Sequence, residues 1–273
     1  MAPFLSLRCL EQHKTATCLM NANVCSIVTG IGLSYANSGP THYSTEDFAC
    51  LRSLSNCYIF TASDPEIAKL IANETLKINK PIFVRLDRKS GKNFSKKTTL
   101  IDIKKGYRYI RKNPKSKILI ISQGSILERS IKVYDNLNKK LKNKIDIIDL
   151  IRAKPFPLVL KKILKKYNSI LTIDEQTSQG SLGSLIMENI SSKIQIKNMA
   201  TLQILQSFYL RTICPLFYIH CSVFVLFHSF SSVNADRFYF LPNQEIDRNN
   251  HFHLREVISE QLFRHHFSQL YQE

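Results

Sequence analysis

The sequence predicts an α/β protein with two successive parallel-sheet domains and an irregular C-terminal tail. Short apolar runs of strand length alternate with helix-length segments between residues 23 and 190. A basic, polar stretch over 89–114 interrupts this alternation, so it separates two strand–helix series. All eight Gly lie before residue 184, which sets the last part of the chain apart in composition.

The first series predicts three strands and two helices. In order these are strand 23–30, helix 44–54, strand 57–60, helix 63–77 and strand 81–85. Ser44, followed three residues later by Asp47, is typical of a capped helix start. Asp64-Pro65-Glu66 predicts the second start, because Pro suits the first turn and an acid suits the positive dipole end.

The second series predicts three strands and three helices. They are strand 117–122, helix 125–140, strand 145–150, helix 158–166, strand 169–173 and helix 180–190. Such alternation predicts parallel sheets covered on both faces, with ligands at the carboxyl ends of the strands. The predicted domains are 1–88, a linker over 89–114, 115–198 and a tail over 199–273.

The formal net charge of +17 comes from the middle of the chain. Residues 89–168 carry 23 Lys and Arg against 5 Asp and Glu. Lys alternating with Ile and Leu is typical of solvated helix faces around an apolar stripe. A specific nucleic-acid site favours Arg, aromatics and a recognition motif, so no specific nucleic acid is predicted. A basic nucleic-acid binder remains an alternative.

The cysteines and the tail predict no metal site and no membrane span. The seven Cys form no CxxC pair, and no His completes a zinc site, which favours a reduced, cytoplasmic protein. The uncharged run 212–235 has the length of a span, but Pro215 and His220 and the lack of flanking basic clusters disfavour one. Four His between 251 and 266 lack a completing carboxylate or Cys.

One loop carries most of the functional information. It runs from Gly32 to His42, between a predicted strand and a predicted helix. Gly39-Pro40 forces a tight turn, after which His42 lies where an imidazole can face a ligand. Taken alone, a His after a Pro turn is usually structural.

Together with other segments, this loop resembles the transketolase family, and more narrowly the shorter chain of transketolases split into two subunits. The matching segments are 4–12, 32–47, 51–56, 64–65, 81–88 and 174–184, in family order and spacing. The resemblance covers roughly residues 3–198. Deoxyxylulose-phosphate synthase and the β chain of 2-oxo acid dehydrogenases share the layout but match the loop less well.

The resemblance implies a thiamine diphosphate cofactor, whose diphosphate and Mg are held by a partner domain. Phe4 would stack on the aminopyrimidine ring, and Leu7 falls where relatives carry a second aromatic. His42 would contact the sugar substrate. Arg88 would bind the substrate phosphate, with Arg85 as the alternative. Residues three apart in a strand face opposite sides, so only one of the two should face the site.

The resemblance also implies an incomplete catalytic unit. The pyrimidine-binding domain is expected to be incomplete and N-terminally truncated, lacking a first strand and the cofactor-activating glutamate, and no GDG…N diphosphate motif occurs. The expected activity is transfer of a two-carbon ketol unit between phosphorylated sugars of the pentose phosphate pathway. It requires a diphosphate-binding transketolase subunit, in a homo- or hetero-oligomer. The alternative is a catalytically inactive fragment or interaction module that retains the scaffold.

Overall fold

A computed structural model describes residues 1–88, 92–94, 98–190 and 194–200 of the chain. The strands are β1 Cys25–Thr29, β2 Tyr58–Thr61, β3 Ile82–Leu86, β4 Tyr107–Arg111, β5 Ile118–Ser122, β6 Ile145–Leu150, β7 Arg152–Lys154, β8 Ser169–Ile173 and β9 Gln195–Met199. The helices are α1 Leu10–Gln12, α2 Asp47–Ser53, α3 Pro65–Thr75, α4 Leu100–Lys105, α5 Leu127–Asn136, α6 Lys139–Lys142, α7 Leu158–Leu164 and α8 Leu182–Asn189. No helix in these segments combines the length and apolar character needed to cross a bilayer.

The strands form two sheets. The first has the order β1-β3-β2-β7, and the second has the order β4-β6-β5-β8-β9. Inner pairings are parallel, which confirms the predicted fold class. β7, at one edge of the first sheet, and β4, at one edge of the second, run antiparallel to their neighbours, so both sheets are mixed.

The structure differs most from the predictions over residues 89–114. This segment was predicted to be a linker, but the structure places α4 and β4 in it. Thr99 and Asp102 form a reciprocal capping box at the start of α4. Gly106 ends the helix with a left-handed conformation, at φ +84°. The next residues then pair with β6. β7 also differs from the predicted domains. It lies within the predicted second domain, 115–198, one residue after β6, but it is a strand of the first sheet.

Two predicted helices have different boundaries. Ser44 does not cap α2, because its backbone forms a two-hydrogen-bond bridge with Gly32 and α2 begins only at Asp47. The helix predicted over 125–140 is two helices, α5 and α6. They separate where Leu137 and Asn138 are extended, and the Asn138 side chain caps α6 by accepting from the Leu141 N–H.

The core contains residues of both sheets and their helices. One buried cluster joins residues of the first sheet, such as Val28 and Phe83, to residues of the second, such as Leu119 and Ile148. A smaller cluster packs α3 and α4 on the first sheet. Of the predicted tail 199–273, only residues 199 and 200 are described, and Met199 ends β9. The uncharged run and the histidines of the tail lie outside the described residues.

Candidate functional site

The loop after β1 is fixed to the carboxyl end of the first sheet. The Gly30 N–H donates to the Leu86 carbonyl at the end of β3, at 2.9 Å. Gly30 has φ +79°, and a Cβ there would lie 2.1 Å from the Tyr35 ring, so only glycine permits this approach. Two hydrogen bonds between Gly32 and Ser44 close the loop. The loop therefore holds Tyr35 and His42 beside the end of β3.

A short 3-10 turn positions His42. Gly39 begins it at φ +84°, and the His42 N–H donates to the Gly39 carbonyl at 3.0 Å. The Thr41 hydroxyl lies 2.9 Å from His42 Nδ1. The half-buried ring is thus held at one nitrogen by its neighbour in the turn.

Four side chains form a continuous row, which we call the aromatic row: Phe4, His42, Tyr35 and Arg88. The Phe4 and His42 rings meet edge to face, with centroids 5.6 Å apart. The Tyr35 centroid lies 6.3 Å from that of His42. The Arg88 guanidinium lies 4.8 Å from the centroid of Tyr35, over its ring. The row thus brings together a stacking surface, an imidazole and an exposed cation.

The two candidate phosphate ligands, Arg85 and Arg88, have different surroundings. The side chain of Arg85 is 1% exposed and forms a bidentate ion pair with Asp47, at 2.7 and 3.1 Å. Arg88 is exposed and lies in the aromatic row. Leu7, the other predicted cofactor contact, is 38% exposed and lies one turn after Phe4 in a π-helical segment, Phe4–Arg8.

Beneath the loop, a chain of buried polar groups links the two sheets. We call it the junction network: Asp47, Arg85, Thr61, Gln123 and Asp174. Arg85 Nη1 donates to the Thr61 hydroxyl at 3.0 Å, and that hydroxyl donates to Gln123 Oε1 at 3.4 Å. Gln123 Nε2 donates to Asp174 Oδ2 at 3.4 Å. The junction network runs from α2, the helix after the loop, to the end of β8.

Burial raises the pKa of two carboxyl groups at the end of β8. Burial raises the pKa of Asp174 to about 7, although the Leu182 N–H donates to it at 2.8 Å. Its Oδ1 has no hydrogen-bond partner among the described residues. Desolvation also raises the pKa of Glu175, whose Oε2 accepts from the Leu33 N–H at 3.4 Å. Glu175 therefore joins the loop to the second sheet.

The sequence did not single out two residues of this region, Tyr35 and Arg8. Tyr35 bridges His42 to Arg88, and its signal was its place within the Gly32–His42 loop. The Arg8 guanidinium lies 4.4 Å from the Phe4 centroid, a four-residue spacing that helical geometry brings together. Within the described part of the chain, no group of three or more His, Cys, Asp and Glu residues could hold a metal ion.

Two proteins of known sequence are similar to more than half of this chain. One subunit of the apulose-4-phosphate transketolase of Actinobacillus succinogenes is 26% identical over 196 residues, which cover 70% of this chain and 60% of that protein. The 1-deoxy-D-xylulose-5-phosphate synthase of Francisella tularensis subsp. mediasiatica is 31% identical over 188 residues, covering 66% of this chain and 29% of that enzyme. The chain thus spans only part of either relative.

Solved structures share the fold. A split-gene transketolase, described as an "inactive beta4 tetramer", superposes with a TM-score of 0.66 at 20% identity, covering 78% of this chain and 68% of that one. A transketolase variant from Pichia stipitis gives a TM-score of 0.60 at 15% identity, covering 73% and 28%.

Family models match both halves of the chain. The transketolase pyrimidine-binding domain matches residues 2–92, and the transketolase C-terminal domain matches residues 106–217. The two matches follow each other in the order of the two sheets. The chain therefore belongs to the transketolase family, of which it carries the pyrimidine-binding and C-terminal domains.

Proposed function

We propose that the chain acts as a transketolase-type subunit that transfers a two-carbon ketol unit between phosphorylated sugars. It would do so with a diphosphate-binding partner, in keeping with its similarity to a protein that is itself one subunit of a transketolase. The observation that supports this most is the aromatic row. Residues far apart in sequence, from Phe4 to Arg88, converge at the carboxyl end of one sheet. Each suits one part of such a reaction.

The N-terminal segment fits the aminopyrimidine half of thiamine diphosphate. Phe4 is half-buried, and its aromatic ring suits a flat π-system; the Arg8 guanidinium lies over that ring, 4.4 Å from its centroid. Leu7 adds exposed apolar area on the same segment. When bound, thiamine diphosphate supplies the carbanion-stabilising chemistry of ketol transfer. The diphosphate and its Mg are proposed to lie on the partner.

His42 and Arg88 are proposed to bind the sugar phosphate. The imidazole of His42, held by Thr41 at Nδ1, can hydrogen-bond a sugar hydroxyl or move a proton there. The guanidinium of Arg88 is exposed and oriented by Tyr35, so it can take a phosphate in bidentate geometry. Arg85 is already occupied by Asp47 and Thr61. We therefore assign the phosphate contact to Arg88.

Calorimetry of thiamine diphosphate with Mg tests the proposal. We expect binding when the chain is mixed with a diphosphate-binding transketolase subunit from the same genome, and about tenfold weaker binding after Phe4→Ala, because a stacking partner is lost. Phe156→Ala is the matched control, since Phe156 is also half-buried but lies outside the aromatic row. Absence of binding in the mixture would instead favour an inactive scaffold, and an unchanged affinity in Phe4→Ala would remove Phe4 from the site.

Arg88→Ala is expected to raise KM for a phosphorylated sugar about 10- to 100-fold in the assembled enzyme, because a charge-assisted contact to phosphate is lost. Steady-state ketol transfer with phosphorylated and unphosphorylated donors measures this. The unphosphorylated donor should be nearly unaffected. Arg111→Ala is the matched control, because the Arg111 guanidinium likewise stacks on a tyrosine, Tyr134, at 5.7 Å. An equal effect on both donors would contradict the phosphate role.

Formation of 1-deoxy-D-xylulose 5-phosphate is the second candidate activity. It is favoured by the 31% identity to the Francisella synthase, which exceeds the 26% identity to the transketolase subunit. Measuring this product alongside ketol transfer in the same complex distinguishes the two. Accumulation of the deoxy sugar phosphate without ketol transfer would favour the synthase.

A further inference from the structure

A pocket of about 460 Å³ opens at the β4 edge of the second sheet. Its walls come from the end of α4, from β4 with the connection to β5, and from the end of α7. Its volume lies in the range of small-molecule sites. It shares no lining residue with the aromatic row.

The floor of the pocket is built from three tyrosines. Tyr107 and Tyr167 are buried and Tyr109 is half-buried. The Tyr107 and Tyr109 rings meet nearly perpendicularly, with centroids 6.2 Å apart. The Tyr109 and Tyr167 hydroxyls lie 3.5 Å from each other. The floor therefore offers both aromatic surface and a phenolic hydroxyl.

A buried carboxylate at the floor, that of Asp146, is engaged on both oxygens. The Tyr167 hydroxyl donates to Asp146 Oδ2 at 2.5 Å, and the Asn113 N–H donates to Oδ1 at 2.7 Å. These donors offset the negative charge of Asp146 and hold the tyrosine in place. Asp102, also at the pocket, is occupied by the cap of α4.

The rim is positively charged. Lys105 ends α4, Lys112 follows β4 and Lys166 follows α7, and all three are exposed at the pocket. Lys112 Nζ lies 5.0 Å from the Tyr109 centroid, over its ring. Arg108, which also lines the pocket, binds Asp64 and Asp149 with its guanidinium. The lysines therefore supply the charge at the opening.

We propose that this pocket binds a small phosphorylated molecule, with the phosphate at the lysine rim and a hydroxyl-bearing or flat body on the tyrosines. Three cations around one opening favour an anion of more than one charge. The phenolic hydroxyl and the aromatic rings suit a sugar or a base next to that anion. Part of the lysine-rich segment thus forms a binding rim in addition to solvated helix faces.

Calorimetry on the full chain tests this with inorganic phosphate, ribose 5-phosphate and AMP as probes. The Arg88→Ala background removes the phosphate contact proposed above, so a signal there comes from another site. We expect the sugar phosphate or the nucleotide to bind more tightly than inorganic phosphate, and the affinity to fall with added salt, because the rim is exposed. Whichever of ribose 5-phosphate and AMP binds more tightly shows whether the part of the ligand on the tyrosines is a sugar or carries a base.

The triple variant K105Q/K112Q/K166Q should weaken binding at least about tenfold. The matched control K69Q/K139Q/K140Q removes three exposed lysines outside the pocket and should bind normally. Tyr109→Phe, which leaves the Asp146 contacts intact, should weaken the organic probes and spare inorganic phosphate. Equal loss in both triple variants, or no binding of any probe in the Arg88→Ala background, would overturn the proposal.

Discussion

Replacing Arg85 with leucine is expected to lower the free energy of unfolding by about 3–5 kcal/mol. Arg85 and Asp47 are 1% and 0% exposed, and the ion pair between them is bidentate. Removing the guanidinium leaves the Asp47 carboxylate buried without its counter-charge, and it also takes a donor from Thr61. The Phe48 ring, 4.8 Å from the guanidinium, loses a cation–π contact as well.

Urea unfolding of the chain measures this effect. The double variant R85L/D47L should recover most of the loss, because an apolar pair can replace a buried ion pair at little net change. Arg111→Leu is the matched control: the side chains of Arg111 and Asp135 are 36% and 52% exposed, so that ion pair should contribute less than about 1 kcal/mol. A small loss in Arg85→Leu would mean that water reaches Asp47.

Arg85 also illustrates what sequence can and cannot predict about a site. Alternation along a strand predicts that Arg85 and Arg88 face opposite sides. The structure buries Arg85 within β3 and leaves Arg88 exposed, but β3 ends at Leu86, so the alternation does not extend to Arg88. Nothing local indicated which of them would meet a carboxylate. Asp47 lies 38 residues away, and the two meet only because α2 packs against β3 in the folded chain.

The elements of the fold likewise divide into those that the sequence predicts and those that it does not. Apolar runs such as Ile118–Ser122 are buried along their whole length, and composition alone predicts such strands. β4 and β7 were missed for different reasons. β4 contains strand-favouring Tyr and Ile, but it lies in the basic stretch that was interpreted as a linker. β7 has only 3 residues, and the places of both strands depend on long-range pairing with β6 and β2. The antiparallel edges therefore come from tertiary structure.

Asp174→Asn is expected to remove a large part of the pH dependence of stability. The pKa of Asp174 is raised from 3.8 to about 7 by burial, so the folded chain binds a proton there that the unfolded chain has lost. The contribution of Asp174 is therefore most favourable at acid pH. It declines as pH rises toward 7 and is then constant, with a total change of about 4 kcal/mol.

Urea unfolding between about pH 5 and pH 8 measures the upper part of this decline as the difference between the wild-type chain and Asp174→Asn. The wild type should lose stability relative to the variant as pH rises, whereas Asp135→Asn, at a largely exposed carboxylate, should follow the wild type. Parallel curves for the wild type and Asp174→Asn would mean that Asp174 is ionised throughout. Arg85 lowers the pKa of Asp174 through its charge, so Arg85→Leu should extend the decline to higher pH. The junction network thus couples protonation at β8 to the ion pair beneath the His42 loop.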